Sequence, residues 1–269
     1  MEIAEVDVLQ IDVGPSRYCF AQDGSARLLR WQISLADFSL RSIVSDQWNS
    51  RCQLNIRAMP VAGLGEFEID DVKFVRYHGT DKCLIFGPKN PEWCRACVPK
   101  FSYRLMDLSI GIEIMLDNIG TFPLHWCPVI RVPLCLPWHD DLSIDQYSIR
   151  SKAKKKFTLN DDLTVIESAK CADKLPISFP NENLMAISGM QDYRMSIVTK
   201  NEEETLSVIL CGKYPNAYFA LRRTEMVNCI EFLCMPDLPG CDANSKEWLC
   251  YRCIQPGKAD SFAIELSVR

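Results

Sequence analysis

The chain has 269 residues, 48% apolar and 24% charged, with a net charge of −5 and a pI near 5.4. That is the composition of an ordinary globular protein, long enough to bury a sizeable core. The acidic balance argues against a nucleic-acid surface, which needs a basic excess, and no apolar run reaches the 18 residues of a membrane-spanning helix. Taken in chain order, Met1-Glu2-Ile3-Ala4-Glu5 has neither the basic start nor the apolar core of a secretory signal, so a cytoplasmic location is expected. Residues 18–21 and 26–35 flank Gln22-Asp23-Gly24-Ser25, where Asp-Gly is a hairpin signal. Turn residues punctuate 60–65 and 87–91. Leu108, Ile110, Ile112, Ile114 and Leu116 then alternate with smaller or polar residues until Asn118-Ile119-Gly120 supplies a turn, which predicts a half-buried antiparallel strand. The basic run Lys152 to Lys156 reads as a solvated loop or strand start. Leu206, Val208 and Leu210 predict another strand, and Phe262, Ile264, Leu266 and Val268 a closing one. Many short strands separated by dense turn signals predict one all-β domain over residues 1–269, a large antiparallel sandwich or barrel with under roughly 15% helix.

Fourteen cysteines lie scattered in apolar runs, where a free thiol behaves as a small hydrophobe, and a reducing compartment is the simplest account. Two Cys-x-x-Cys pairs, Cys94/Cys97 and Cys250/Cys253, have the local spacing of zinc ligands. They stand about 150 residues apart, far beyond a compact ribbon motif. Structural thiols are expected, with no metal and no cofactor. Only three histidines occur, His78, His125 and His139, too few for a histidine metal cage. Glycine-rich nucleotide loops and the Gly-x-Ser-x-Gly elbow are absent.

Glu231 stands out within Val227-Asn228-Cys229-Ile230-Glu231-Phe232-Leu233-Cys234-Met235. On a strand it shares a face with Val227, Cys229, Leu233 and Met235. A carboxylate buried there is costly without partners, so it must be paired, neutral or catalytic. The plainer alternative is a carboxylate on the polar rim of an edge strand.

Four stretches, in this order, resemble the galactose mutarotase (aldose 1-epimerase) superfamily. They are Asp23 to Leu28, Leu116 to Leu124 with its Asn118-x-Gly120-x-x-Pro123-Leu124 pattern, Gly189 to Met195, and Cys229-Ile230-Glu231 followed by the 239–244 turn and Pro256-Gly257. The resemblance implies a large antiparallel β-sandwich that binds sugars in a cleft on one sheet. It implies Glu231 as general base at the anomeric hydroxyl, opposite an acid that protonates the ring oxygen; such chemistry needs both groups near working pH. It also implies Asp192 as a sugar contact, and it places Asn49 and Arg51 roughly where further sugar contacts fall.

This chain departs from the pattern at the acid. Val132 stands where the resemblance requires a histidine, and His125 and His139 are each seven residues away. Arg131, by the same reckoning, points to the wrong face and is in any case a poor acid. His78 and His139 are the candidates to replace the missing acid. Three readings follow: a divergent epimerase acting on a sugar or sugar phosphate through Glu231; a catalytically silent sugar-binding module with Trp126, Trp138 and Asp192 against the ligand; and a protein-interaction scaffold. No nucleic-acid or membrane partner is expected, and the sequence leaves the oligomeric state open.

Overall fold

A computed structural model describes residues 7–44, 54–60, 67–68, 73–80, 82–90, 97–139, 141–160, 165–177, 184–223, 229–237 and 252–269. Its strands open with β1 (Val8–Val13), β2 (Ser16–Ala21), β3 (Leu28–Ser34), β4 (Leu40–Val44), β5 (Leu54–Pro60) and β6 (Phe67–Glu68). There follow β7 (Phe74–Thr80), β8 (Cys83–Pro88), β9 (Cys97–Leu105), β10 (Ser109–Asn118) and the long β11 (Leu124–Cys135). Then come β12 (Tyr147–Ser151), β13 (Lys155–Leu159), β14 (Val165–Lys170), β15 (Lys174–Pro176), β16 (Leu184–Ser188), β17 (Arg194–Thr199) and β18 (Glu204–Leu210). The chain closes with β19 (Tyr218–Arg223), β20 (Cys229–Met235), β21 (Arg252–Ile254) and β22 (Ala259–Val268). Among the described residues the helical content is a single 3₁₀ turn, Ile144–Gln146.

These strands form two antiparallel sheets. The larger has 13 strands, with the path β1-β2-β3-β4-β11-β20-β19-β16-β13-β14, β5 and β21 attached along β11, and β6 paired to β5. The smaller has nine, in the order β15-β12-β17-β18-β22-β10-β9-β8-β7. The expected alternation is plain in β10, where Ile110, Ile112, Ile114, Leu116 and Asn118 are buried and the residues between them half-exposed. β22 lies beside it in register, Ile112 opposite Ile264 and Ile114 opposite Phe262. One face of such a sheet therefore packs inward while the other meets solvent.

The inward faces enclose a core that includes Trp31, Phe101, Ile112, Trp126, Ile130, Val132, Phe219, Phe232 and Phe262. Polar atoms inside it are used to join the sheets. The Tyr18 hydroxyl on β2 donates across to the turn between β9 and β10, 2.6 Å from the Met106 carbonyl and 2.8 Å from that of Ser109. Tyr103 reaches back from β9 to the Ala26 carbonyl at 2.8 Å. Trp126 Nε1 on β11 donates to Asp260 on β22 at 2.8 Å. A second, smaller apolar cluster lies on the other, outward face of the larger sheet, with Val129, Phe157, Leu159, Leu184, Ala186, Ala220, Leu233 and Met235. The site is built beside that cluster.

Candidate functional site

β20 lies between β11 and β19, well inside the larger sheet, so Glu231 is not on the rim of an edge strand. Every residue of β20 is buried, because both of its faces are covered. Ile230, Phe232 and Cys234 enter the core between the sheets. Leu233 and Met235 belong to the outward cluster, and period-two geometry puts Glu231 on their side.

Glu231 is completely buried yet fully paired. Arg222, directly opposite it on β19, donates Nε to Oε2 at 2.9 Å and a terminal nitrogen to the same oxygen at 2.5 Å. Arg131, on β11, donates to Oε1 at 3.1 Å. The carboxylate therefore has a guanidinium on each flank, which answers the cost of burying it. The two arginine side chains keep 23% and 25% exposure. Arg131 Nε is buried without an acceptor among the described residues, so that guanidinium is only partly satisfied.

One expectation from the sequence is corrected here. Arg131 does not point away from Glu231; it is a direct partner, and Val132 is the residue that turns into the core, at 2% exposure. β11 stays regular through Pro133, which lies opposite Glu231, so parity holds along the strand. His125 consequently shares the outward face with Arg131, but six residues of strand separate them, on the order of 20 Å.

The other candidates fall elsewhere. His139 sits just beyond the cis Leu136–Pro137 bond, its Nδ1 2.9 Å from the Tyr147 hydroxyl and its ring stacked on that of Tyr147. The backbone of His78 runs in β7, in the smaller sheet, and its side chain lies outside the described residues. Trp126 is wholly buried in the core, and Trp138 packs edge-on against Tyr147 at 5% exposure. Asn49 and Arg51 lie outside the described residues. Asp192 is exposed in the turn between β16 and β17 and lines a cleft with Arg150 and Arg194 of the smaller sheet. Among the described residues, the structure brings Glu231 together with Arg131 and Arg222, and not with His139, Trp126, Trp138 or Asp192.

Arg222 was open to notice in the sequence. Arg222-Arg223 precedes Glu231 across a short polar break, and a hairpin there brings a basic residue opposite the acidic one. None of the ten described cysteines is in a disulfide; Cys97 is in β9 of the smaller sheet and Cys253 in β21 of the larger, while Cys94 and Cys250 lie outside the described residues. Among the described residues no group of three or more His, Cys, Asp or Glu side chains is placed to hold a metal ion. No helix there is long and apolar enough to cross a membrane.

No protein-family model and no curated protein matches this sequence. Solved structures do. A galactose mutarotase related enzyme from Lactobacillus acidophilus superposes with a TM-score of 0.75 at 10% identity, over 98% of this chain and 97% of that one. A galactose mutarotase-like protein from Lactobacillus casei gives 0.71 at 13% identity over 98% and 100%. An aldose epimerase homologue from C. elegans gives 0.67 at 9% identity over 98% and 99%. At these identities the likeness is one of fold, and the fold of this chain is the galactose mutarotase-like β-sandwich.

Proposed function

We propose that this chain binds carbohydrate, holding a sugar or sugar phosphate against the outward face of the larger sheet at the cluster of Arg131, Glu231 and Arg222. The observation that carries the reading is that both oxygens of a fully buried carboxylate are taken by guanidinium groups that themselves still reach solvent. The groups offered to a ligand are therefore arginine N–H edges, which suit hydroxyl and phosphate oxygens. Glu231 orients them and offsets one of their charges. This arrangement supports recognition more directly than turnover, since a general base needs a free lone pair on the reacting proton.

Turnover is the second reading, and its support is position. Glu231 occupies a central strand in a fold shared with proteins described as a mutarotase related enzyme and an aldose epimerase homologue. To act as base it must give up one of its arginine partners when the sugar arrives. Calorimetric titration with D-glucose, D-galactose and their 6-phosphates tests the common premise. Binding of at least one at millimolar concentration or tighter, weakened by Arg131→Ala, is expected. If none of the four binds, both carbohydrate readings fail and Glu231 is a structural carboxylate.

A further inference from the structure

The pairing of β11 with β20 ends on a cysteine from each strand. Along the ladder Pro133 stands opposite Glu231 and Leu134 opposite Ile230, and the last rung is Cys135 opposite Cys229. Residues opposed in an antiparallel pair turn their side chains to the same face. Parity along both strands makes that face the outward one, shared with Arg131 and Glu231. Among the described residues no other rung sets cysteine against cysteine. Cys127 stands opposite Arg57, Cys234 opposite Ile130 and Phe219, and Cys253 opposite His125.

The separation suits a covalent bond. Opposed Cα atoms in an antiparallel ladder lie about 4.5 or 5.5 Å apart, depending on the rung. Both values fall within the roughly 4.4–6.8 Å that a disulfide spans. The Cβ atoms of such a rung stand about 4.5–5.5 Å apart and those of a disulfide about 3.8 Å, so closure asks for an approach on the order of 1 Å. Cys135 is the last residue of β11 and Cys229 the first of β20. No rung of their ladder lies beyond them to resist that approach. Neither cysteine is in a disulfide in this structure. Access is unequal, since Cys135 is half-buried and Cys229 is 7% exposed.

We infer that Cys135 and Cys229 form a redox modification site, a dithiol that a low-molecular-weight disulfide converts to a cross-strand disulfide and that a small thiol restores. The more accessible Cys135 reacts first. Its thiolate attacks one sulfur of the oxidant R–S–S–R, forming a Cys135–S–S–R mixed disulfide and expelling RS⁻. The Cys229 thiolate then attacks the Cys135 sulfur, forming the Cys135–Cys229 bond and expelling the second RS⁻. Two protein thiols are oxidised, the oxidant is reduced to two small thiols, and the protein's two thiol protons end on them. Proximity favours the second step, because the register already holds Cys229 beside the mixed disulfide. The bond ties β11 to β20 two rungs from Glu231, on the face where Arg131 meets it. The site rests on the strand register and not on any reading of the ligand at that face.

The test incubates the full-length chain, reduced and then freed of reductant, with oxidised glutathione under native conditions and in concentrated urea. Remaining thiols are alkylated with N-ethylmaleimide, and tandem mass spectrometry of unreduced peptides locates each link. The native chain should join Cys135 to Cys229 at least roughly tenfold faster than the unfolded chain, and reduced glutathione should release the link. In Cys229→Ser no second thiol stands opposite, so glutathione should accumulate on Cys135. In Cys135→Ser, Cys229 should stay mostly unmodified while the exposed Cys211 and Cys253 still react. The wild-type measurement decides even where a variant fails to fold. A native chain that takes glutathione on Cys211 and Cys253 without joining Cys135 to Cys229 overturns the site. So does one in which either cysteine links to another in preference. A link formed no faster than in urea overturns the role of the register, and one that reduced glutathione cannot release overturns reversibility.

Discussion

Arg222 and Glu231 stand directly opposite each other on β19 and β20, and two nitrogens of the arginine close on one carboxylate oxygen, at 2.9 and 2.5 Å. With Arg131 on the other oxygen, the pair makes a charged cluster in the middle of a sheet whose neighbouring side chains are apolar. Such a cluster adds little net stability over a well-packed apolar replacement, but removing Arg222 strips Oε2 of both donors and leaves a buried carboxylate with Arg131 alone.

That asymmetry gives the first prediction. Arg222→Ala should cost about 2–4 kcal/mol in denaturant unfolding, below the figure for wholly buried pairs because the guanidinium is a quarter exposed. Asp12→Ala, which breaks the exposed Arg17–Asp12 pair, should cost under about 1 kcal/mol. Equal effects from the two substitutions would show that the Glu231 cluster is solvated in solution.

The sequence made the sheets legible where one face is wet. β10 and β22 alternate apolar and polar residues because their outward sides meet solvent, and period two reports that directly. It could not do the same for β11. The inward set Leu124, Trp126, Ile130, Val132 and Leu134 and the outward set Cys127, Val129, Pro133 and Cys135 are both largely apolar, since that strand is covered on both sides. Without contrast the pattern names no face, so the sequence alone does not say that Arg131 and Glu231 share one. Glu231 was legible because a lone carboxylate in an apolar run must have an answer. Its partners were not, because they come from two strands whose register depends on the fold. Asp192 is singled out only by the resemblance of residues 189–195, and only the crossovers between the sheets place it beside Lys152 and Asp173.

The Asn-x-Gly pattern at 118–120 predicts a turn, and the structure gives its asparagine a larger task. Buried Asn118 donates Nδ2 to the carbonyls of Phe122 and Ile254, both at 2.8 Å, and its Oδ1 accepts from Gly120 N at 3.0 Å. It ties the β10–β11 turn to the end of β21. Asn118→Ala should cost about 2–4 kcal/mol, from three lost hydrogen bonds and the carbonyls left behind. Asn118→Asp should also destabilise, since a carboxylate cannot donate to two carbonyls. Thermal or denaturant melts that match wild type for both would remove Asn118 from the architecture.

Tyr18 offers a pH prediction. Burial pushes its hydroxyl up to about 12, against a smaller opposing effect from Ser16. A raised folded value means the neutral phenol is favoured in the native state, so its contribution is fully present below the unfolded value near 10 and is lost as pH rises through about 12. Spectrophotometric titration should show one tyrosine ionising last, and Tyr18→Phe should remove that step. It should also flatten the loss of stability between about pH 10 and 12, while lowering stability at neutral pH through the lost bonds to Met106 and Ser109. A Tyr18 that ionises near the ordinary value of 10 would mean that its burial between the sheets does not persist in solution.

The last prediction separates binding from turnover at Glu231. Glu231→Gln keeps the shape and one acceptor oxygen but removes the charge that Arg131 and Arg222 share. If the cluster only recognises ligand, polarimetry of freshly dissolved α-D-glucose or α-D-galactose should show no acceleration by wild type above the spontaneous rate. Sugar affinity should then change by well under 100-fold in the variant, because the arginine edges remain. If Glu231 is a base that sheds an arginine when sugar arrives, wild type accelerates mutarotation and the variant loses roughly 100-fold or more of that rate with a much smaller change in affinity. Arg222→Lys then adds a discriminating arm, since lysine keeps the charge but not the two-nitrogen grip on Oε2. A base restrained by that grip should work faster when it is loosened. A recognition cluster oriented by it should bind more weakly.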